Sequence, residues 1–171
     1  RSECYESVGF YDERYYQLPD FDFWIRLCLK YEIYIIPENL IEFRVRENEA
    51  NASGDNYTTK IRCNNELVSV LERFLLIKSE KEFLDVFPDK QELVNENGFD
   101  LEYAVASVCM SNRNSKIHVA FGLQLLFRLL NDPNKRSKLM DIYNFSYQDL
   151  YQWSKKCDVF AVCLVDTGLP Q

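Results

Sequence analysis

The feature that most limits the fold is the helical spacing of apolar residues after residue 56. Between Tyr57 and Lys78 apolar residues recur every three or four positions, as on one face of an α-helix, with Asp55 as the expected N-cap. Six further segments have helical spacing or helix-starting residues: 81–86, 90–95, 101–110, 117–130, 133–143 and 147–157. The short connections between them predict a helical bundle.

An N-terminal region of mixed character precedes this bundle, separated from it by a small-residue, polar loop at 48–56. Apolar spacing from Asp20 to Lys30 predicts a helix buried on most sides. Ile33–Ile36 and Leu40–Arg46 predict two short strands, too few for a sheet of their own. We therefore expect a mainly α fold with a small β element, divided into domains at 1–54 and 55–171.

Charge and composition exclude several classes of protein. The formal net charge of −7 repels phosphate backbones, so we expect no nucleic-acid partner. No apolar run approaches the roughly 20 residues of a membrane span. The six cysteines form no C-x-x-C pair, and the one histidine, His118, lies in an apolar helical stretch. We expect reduced thiols, a cytoplasmic location and no metal site within this chain.

Four short motifs follow one another along the N-terminal region, and their order is informative. Val8–Glu13 has the sequence V-G-F-Y-D-E, and Leu18–Leu27 has L-P-D-F-D-F-W-I-R-L. Ile35–Arg44 has I-I-P-E-N-L-I-E-F-R, and Asn51–Ser53 has N-A-S. This order resembles the C-terminal half of the catalytic domain of family 2 glycosyltransferases, with their V-G-G-F-D-E turn, E-D-x-D-L-W-x-R-L helix start, Y-R strand end and N-x-S. The resemblance covers residues 4 to about 54.

The resemblance implies the C-terminal piece of a GT-A type α/β domain, which transfers a sugar from a nucleotide diphosphate to an acceptor hydroxyl with inversion. Asp20 matches the family's catalytic base, and chemistry requires such a carboxylate because the attacking hydroxyl must lose its proton. Pro19 replaces the glutamate that precedes this aspartate in the family. The alternative for Asp20 is a helix-stabilising acid in the first turn.

Three other residues are candidates for binding substrate. Arg44 and Arg46, one pleat period apart on a predicted strand, suit gripping a diphosphate; the alternative is surface pairing with Glu42 and Glu47. Trp24, like Phe21, suits stacking on a sugar, although aromatic residues at helical spacing more often belong to a core.

The rest of the family's machinery has no counterpart in this chain. The D-x-D that holds Mn or Mg on the diphosphate is expected before Arg1, because Asp20-Phe21-Asp22 lies in the later helix start. We therefore expect a fragment, inactive alone, of an enzyme of cell-surface polysaccharide or glycoconjugate synthesis. Its partners would be a nucleotide sugar and a glycan or lipid-linked acceptor. That acceptor leaves open a location at the inner membrane face.

A different class of function is also consistent with the sequence. Residues 55–171 would then form a noncatalytic helical protein-interaction module, and the N-terminal region would be a structural remnant. This alternative predicts that changing Asp20 has no functional effect. The upstream sequence would distinguish the two hypotheses.

Overall fold

In this computed structural model the structure describes residues 2–42, 44 and 53–161, which form eight α-helices and no sheet. The helices are α1 Ser2–Val8, α2 Pro19–Cys28, α3 Tyr57–Leu71, α4 Glu80–Val86, α5 Leu101–Ser111, α6 Lys116–Asn131, α7 Pro133–Tyr143 and α8 Tyr147–Ser154. Two 3₁₀ helices span Glu72–Leu76 and Gln91–Leu93. The mainly α prediction is confirmed.

Capping residues explain where most of these helices begin. Asp132 accepts hydrogen bonds from the backbone N–H groups of Asn134 and Lys135, and Pro133 occupies the first turn of α7. Ser146 and Asp149 form a reciprocal capping box at α8. The predicted cap of α3 was wrong by one position, because Asn56 rather than Asp55 accepts from the Thr59 N–H, at 2.9 Å.

The predicted β element is absent from the described residues. Residues 33–36, 40–42 and 44 form no strand, and Tyr34, Ile35 and Ile41 are highly exposed. An extended segment becomes a strand only when a neighbour pairs with its N–H and C=O groups, and the described residues contain no such neighbour. The rest of the predicted second strand, at 43, 45 and 46, lies outside the described residues.

By its contacts the chain divides into two compact units, Arg1–Leu76 and Ile77–Gln171. The first unit has a small apolar core of Tyr15, Ile25 and Val70, with Leu18, Leu29 and Phe74 packed against it. Helix α3 supplies Val70 and so belongs to this unit. The predicted division at residue 54 concerns where a catalytic domain would end, and it stays a prediction.

The second unit is built around the packing of α5 against α6, which also contacts α7 and α8. The largest of its fully buried side chains are all apolar: Phe83, Val105, Val119, Leu126, Leu129, Leu130 and Leu139. Gly122 lets the two helices approach closely, since a Cβ there would lie 2.9 Å from the Ala106 carbonyl oxygen. The two helices therefore form the centre of a conventional apolar core.

Two further sequence expectations, on membrane spans and on reduced thiols, can be compared with the described residues of both units. None of the described helices combines the length and the apolar character that crossing a membrane requires. Cys4, Cys28, Cys63, Cys109 and Cys157 are free thiols, but Cys109 alone among these five is buried. Burial raises the pKa of the Cys109 thiol to about 12, so that thiol stays protonated at neutral pH.

Candidate active site

Asp20 lies in the first turn of α2, with its side chain exposed. Its Oδ1 accepts a hydrogen bond from the Phe21 backbone N–H at 2.8 Å. Phe21 and Trp24, at 44% and 48% exposure, share the outer face of the helix with it. The helix was expected to be buried on most sides; Phe23, Ile25 and Leu27 are buried, whereas Phe21, Trp24 and Cys28 leave one face exposed.

Asp22, two residues after Asp20, is completely buried and fully occupied by arginines. Its Oδ2 lies 2.9 Å from Arg26 Nε, one helical turn away, a pairing that i, i+4 spacing favours. Its Oδ1 lies 2.6 Å from Nε of Arg73, in the 3₁₀ helix that follows α3. A buried carboxylate must be paired in this way to remain charged, so the role of Asp22 is structural.

Asp12 extends this network at the turn before α2. Its carboxylate accepts hydrogen bonds from Arg14 Nε at 2.9 Å and Arg14 Nη2 at 2.6 Å, and from Arg73 Nη2 at 3.2 Å. The side-chain hydrogen bond from Arg14 is the main reason that the pKa of Asp12 lies well below its ordinary value; partial burial opposes it. Burial likewise opposes the charge on Arg73, but Asp22 and Asp12 outweigh it and raise the pKa of Arg73.

Arg26 joins the same network to the loop after α1. Its guanidinium donates to the carbonyl oxygen of Val8, and to that of Phe10 at 2.8 Å. Gly9 between them has a φ of +82°, a conformation that residues with a Cβ rarely adopt. The V-G-F motif therefore provides a turn whose carbonyls converge on Arg26.

Glu66 of α3 fixes the chain immediately before α2. Its Oε1 accepts from the backbone N–H of Tyr16 at 3.0 Å, and its Oε2 accepts from those of Gln17 and Leu18 at 2.8 and 2.9 Å. Three consecutive N–H groups thus converge on one carboxylate, an arrangement that favours anions. Glu66 and Arg73 together attach α2 to α3 through polar contacts.

Sequence reasoning missed both residues, although a signal was present. Glu66, Val70 and Arg73 are spaced i, i+4, i+7, so they share one face of the continuous helical segment. Charged residues in line with a fully buried valine indicate ion pairs at the edge of a core. Their partners lie about fifty positions earlier, and no local pattern identifies them.

Of the two candidate arginines, only Arg44 lies within the described residues. Arg44 is exposed and is not part of a strand. Arg46 lies outside the described residues. The strand that was expected to place both side chains on one face is not formed at 40–42 and 44, so a shared diphosphate grip remains a prediction.

The residues present do not fit the metal that the resemblance implies. Both oxygens of Asp22 are taken by arginines, so Asp20-Phe21-Asp22 cannot act as a two-carboxylate metal motif. Across the described ranges no three His, Cys, Asp or Glu side chains cluster closely enough to hold an ion. His118 is half-buried beside Ser115, and burial lowers its pKa. Any metal-dependent step would rely on other residues.

In comparisons with family models, curated proteins and solved structures, no significant match to this chain was found. The likeness to family 2 glycosyltransferases therefore rests on the order of the motifs in residues 4 to about 54.

Proposed function

We propose that this chain is the acceptor-side C-terminal part of an inverting glycosyltransferase, with Asp20 as its general base. The supporting observation is the contrast between two carboxylates in one helix turn. Asp22 is buried and neutralised by Arg26 and Arg73, whereas Asp20 is exposed and accepts a single hydrogen bond from the described residues. Such an arrangement anchors the helix and leaves one carboxylate available for chemistry.

The surroundings of Asp20 are consistent with a sugar acceptor. Phe21 and Trp24 expose aromatic surface on the same face of α2, and sugars stack their apolar C–H faces on such rings. Asp20 would take the proton of the acceptor hydroxyl as its oxygen bonds to the anomeric carbon. The bond from that carbon to the nucleoside diphosphate breaks in the same step. In this proposal Arg44 and Arg46 bind the departing diphosphate.

The test uses the full-length protein that contains this chain. UDP-glucose, UDP-galactose, UDP-N-acetylglucosamine and GDP-mannose would be offered with simple aryl glycosides as acceptors, and release of nucleoside diphosphate measured. We expect Asp20→Asn to lower the turnover by about 10²-fold or more, because the general base is lost. Circular dichroism and thermal unfolding should remain as in the unmodified protein.

Glu32→Gln is the matched control, because Glu32 is an exposed acid of the same unit outside the proposed site. Its turnover should equal that of the unmodified protein. Retained turnover in Asp20→Asn would exclude Asp20 as the base. If the unmodified protein consumed none of the four sugar nucleotides, the interaction-module alternative would gain ground.

A further inference from the structure

A cavity of about 170 Å³ lies in the second unit, where the end of α5, the start of α6 and the end of α8 meet. Val119, Met110 and Trp153 provide its apolar lining. The indole of Trp153 packs edge-on against the Phe145 ring, with the ring centroids 5.1 Å apart. A cavity on the order of 150 Å³ accommodates one aromatic ring, so this space suits a small flat group.

Two cations line the same cavity. Arg113 follows α5 and Lys156 follows α8. Most Lys and Arg side chains of the second unit's helices are paired, as in Lys135–Glu102 and Lys138–Asp100. Neither Arg113 nor Lys156 has an acidic partner within the part of the chain that the structure describes. In a protein of net charge −7, two uncompensated cations at one cavity favour an anion.

A buried polar group adds a second, independent indication of a ligand. Ser107 lines the cavity and is only 8% exposed, and its Oγ makes no well-oriented hydrogen bond among the described residues, although the Tyr103 side chain approaches it. Ser111 Oγ, one turn later, donates to the Ser107 carbonyl oxygen at 2.8 Å and not to Ser107 Oγ. A buried hydroxyl without a partner is unfavourable unless a bound molecule or water satisfies it.

We propose that this cavity binds a small organic anion, a carboxylate or phosphate monoester attached to a flat apolar group. The apolar part would lie against Trp153 and Val119, and the anionic group would lie between Arg113 and Lys156. Ser107 would supply a hydrogen bond at the buried end. This binding site is independent of Asp20 and of the proposed glycosyl transfer.

The test measures binding of benzoate and phenyl phosphate, with benzyl alcohol as the uncharged comparison. Trp153 fluorescence reports on the cavity when the other tryptophan is removed by Trp24→Phe. We expect saturable binding of both anions with dissociation constants of about 1 mM or below. Benzyl alcohol should bind about tenfold more weakly, and added salt should weaken the binding of the anions.

Substitutions identify where the anion binds. The double variant Arg113→Gln with Lys156→Gln should lower the affinity for both anions by about tenfold or more, since both cations are removed. Lys155→Gln is the matched control, because Lys155 is adjacent and exposed but does not line the cavity. It should change the affinity by less than about twofold, since its charge does not lie at the cavity.

Three results would overturn the proposal. They are an absence of saturable binding, equal affinity for benzyl alcohol and benzoate, and unchanged affinity in the double variant. If the fluorescence does not respond, amide chemical shifts of Ser107 and Trp153 measured during the same titrations decide the question. Shifts that do not saturate would also contradict the site.

Discussion

The two compact units are stabilised by different interactions. The second unit packs α5 against α6 around apolar side chains that are fully buried. The first unit has a small apolar core and depends on charged groups, with Asp22 completely buried between Arg26 and Arg73. An apolar core tolerates small rearrangement, whereas a buried ion network fails when one partner is lost. This difference identifies substitutions whose effects on stability should distinguish the two units.

The largest expected effect is the loss of apolar packing in the second unit. Leu126→Ala should lower its free energy of unfolding by about 2–5 kcal/mol, because the fully buried side chain leaves a cavity. Urea unfolding followed by Trp153 fluorescence in a Trp24→Phe background measures it. The control is Phe127→Ala at the next position, where the ring is 57% exposed and the cost should be below about 1 kcal/mol. Equal costs would mean that Leu126 does not lie on the buried face of α6.

The next effect tests the ion network of the first unit. Asp22→Asn should lower the free energy of unfolding by about 3 kcal/mol, because Arg26 and Arg73 lose the charge that compensates them. Trp24 fluorescence in a Trp153→Phe background reports on this unit. Asp20→Asn, two residues away on the same helix but exposed, should cost less than about 1 kcal/mol. A similar cost for both variants would show that the buried network contributes little.

The smallest effect is a difference in acid sensitivity. The pKa of Asp12 is lowered from 3.8 in the folded state, mainly by the hydrogen bond from Arg14. A lowered folded-state pKa contributes stability that is present above 3.8 and lost as the pH falls toward the folded value. Asp12→Asn should therefore flatten the acid limb of first-unit stability below about pH 4, measured by urea midpoints at successive pH values.

In the second unit, Asp149 has the role in acid sensitivity that Asp12 has in the first. Its hydrogen bonds with Ser146 lower its pKa in the same direction. Asp149→Asn should flatten only the acid limb reported by Trp153.

If Asp12→Asn left the Trp24 curve unchanged, the pairing of Asp12 with Arg14 would not persist in solution.

Local patterns predicted the second unit well. Helical spacing identified α5, α6, α7 and α8 to within a few residues, because the apolar stripes of these helices and their caps at Asp132 and Ser146 are encoded locally. The short helix α1 was missed, and 90–95 contains only a 3₁₀ turn at Gln91–Leu93. Short elements with few buried residues carry weak periodicity.

The first unit was predicted less completely, for a physical reason. The Asp22–Arg26 pair follows from i, i+4 spacing, but Arg73 and Glu66 meet residues about fifty positions away. The expected strands at 33–36 and 40–46 rested on β-branched and apolar residues, yet 33–36, 40–42 and 44 form none. Pairing partners determine whether such residues form a sheet, and a single sequence does not identify them.

The contacts of Glu66 and Arg73 with α2 and the residues just before it limit how this protein can be divided into expression fragments. An expression fragment ending at the loop near residue 54 would keep every recognisable motif but would omit both side chains. Asp22 would then be deprived of one of its two arginines, and the three N–H groups before α2 would lose their acceptor. A fragment intended to present Asp20 in its native setting must therefore continue through Leu76.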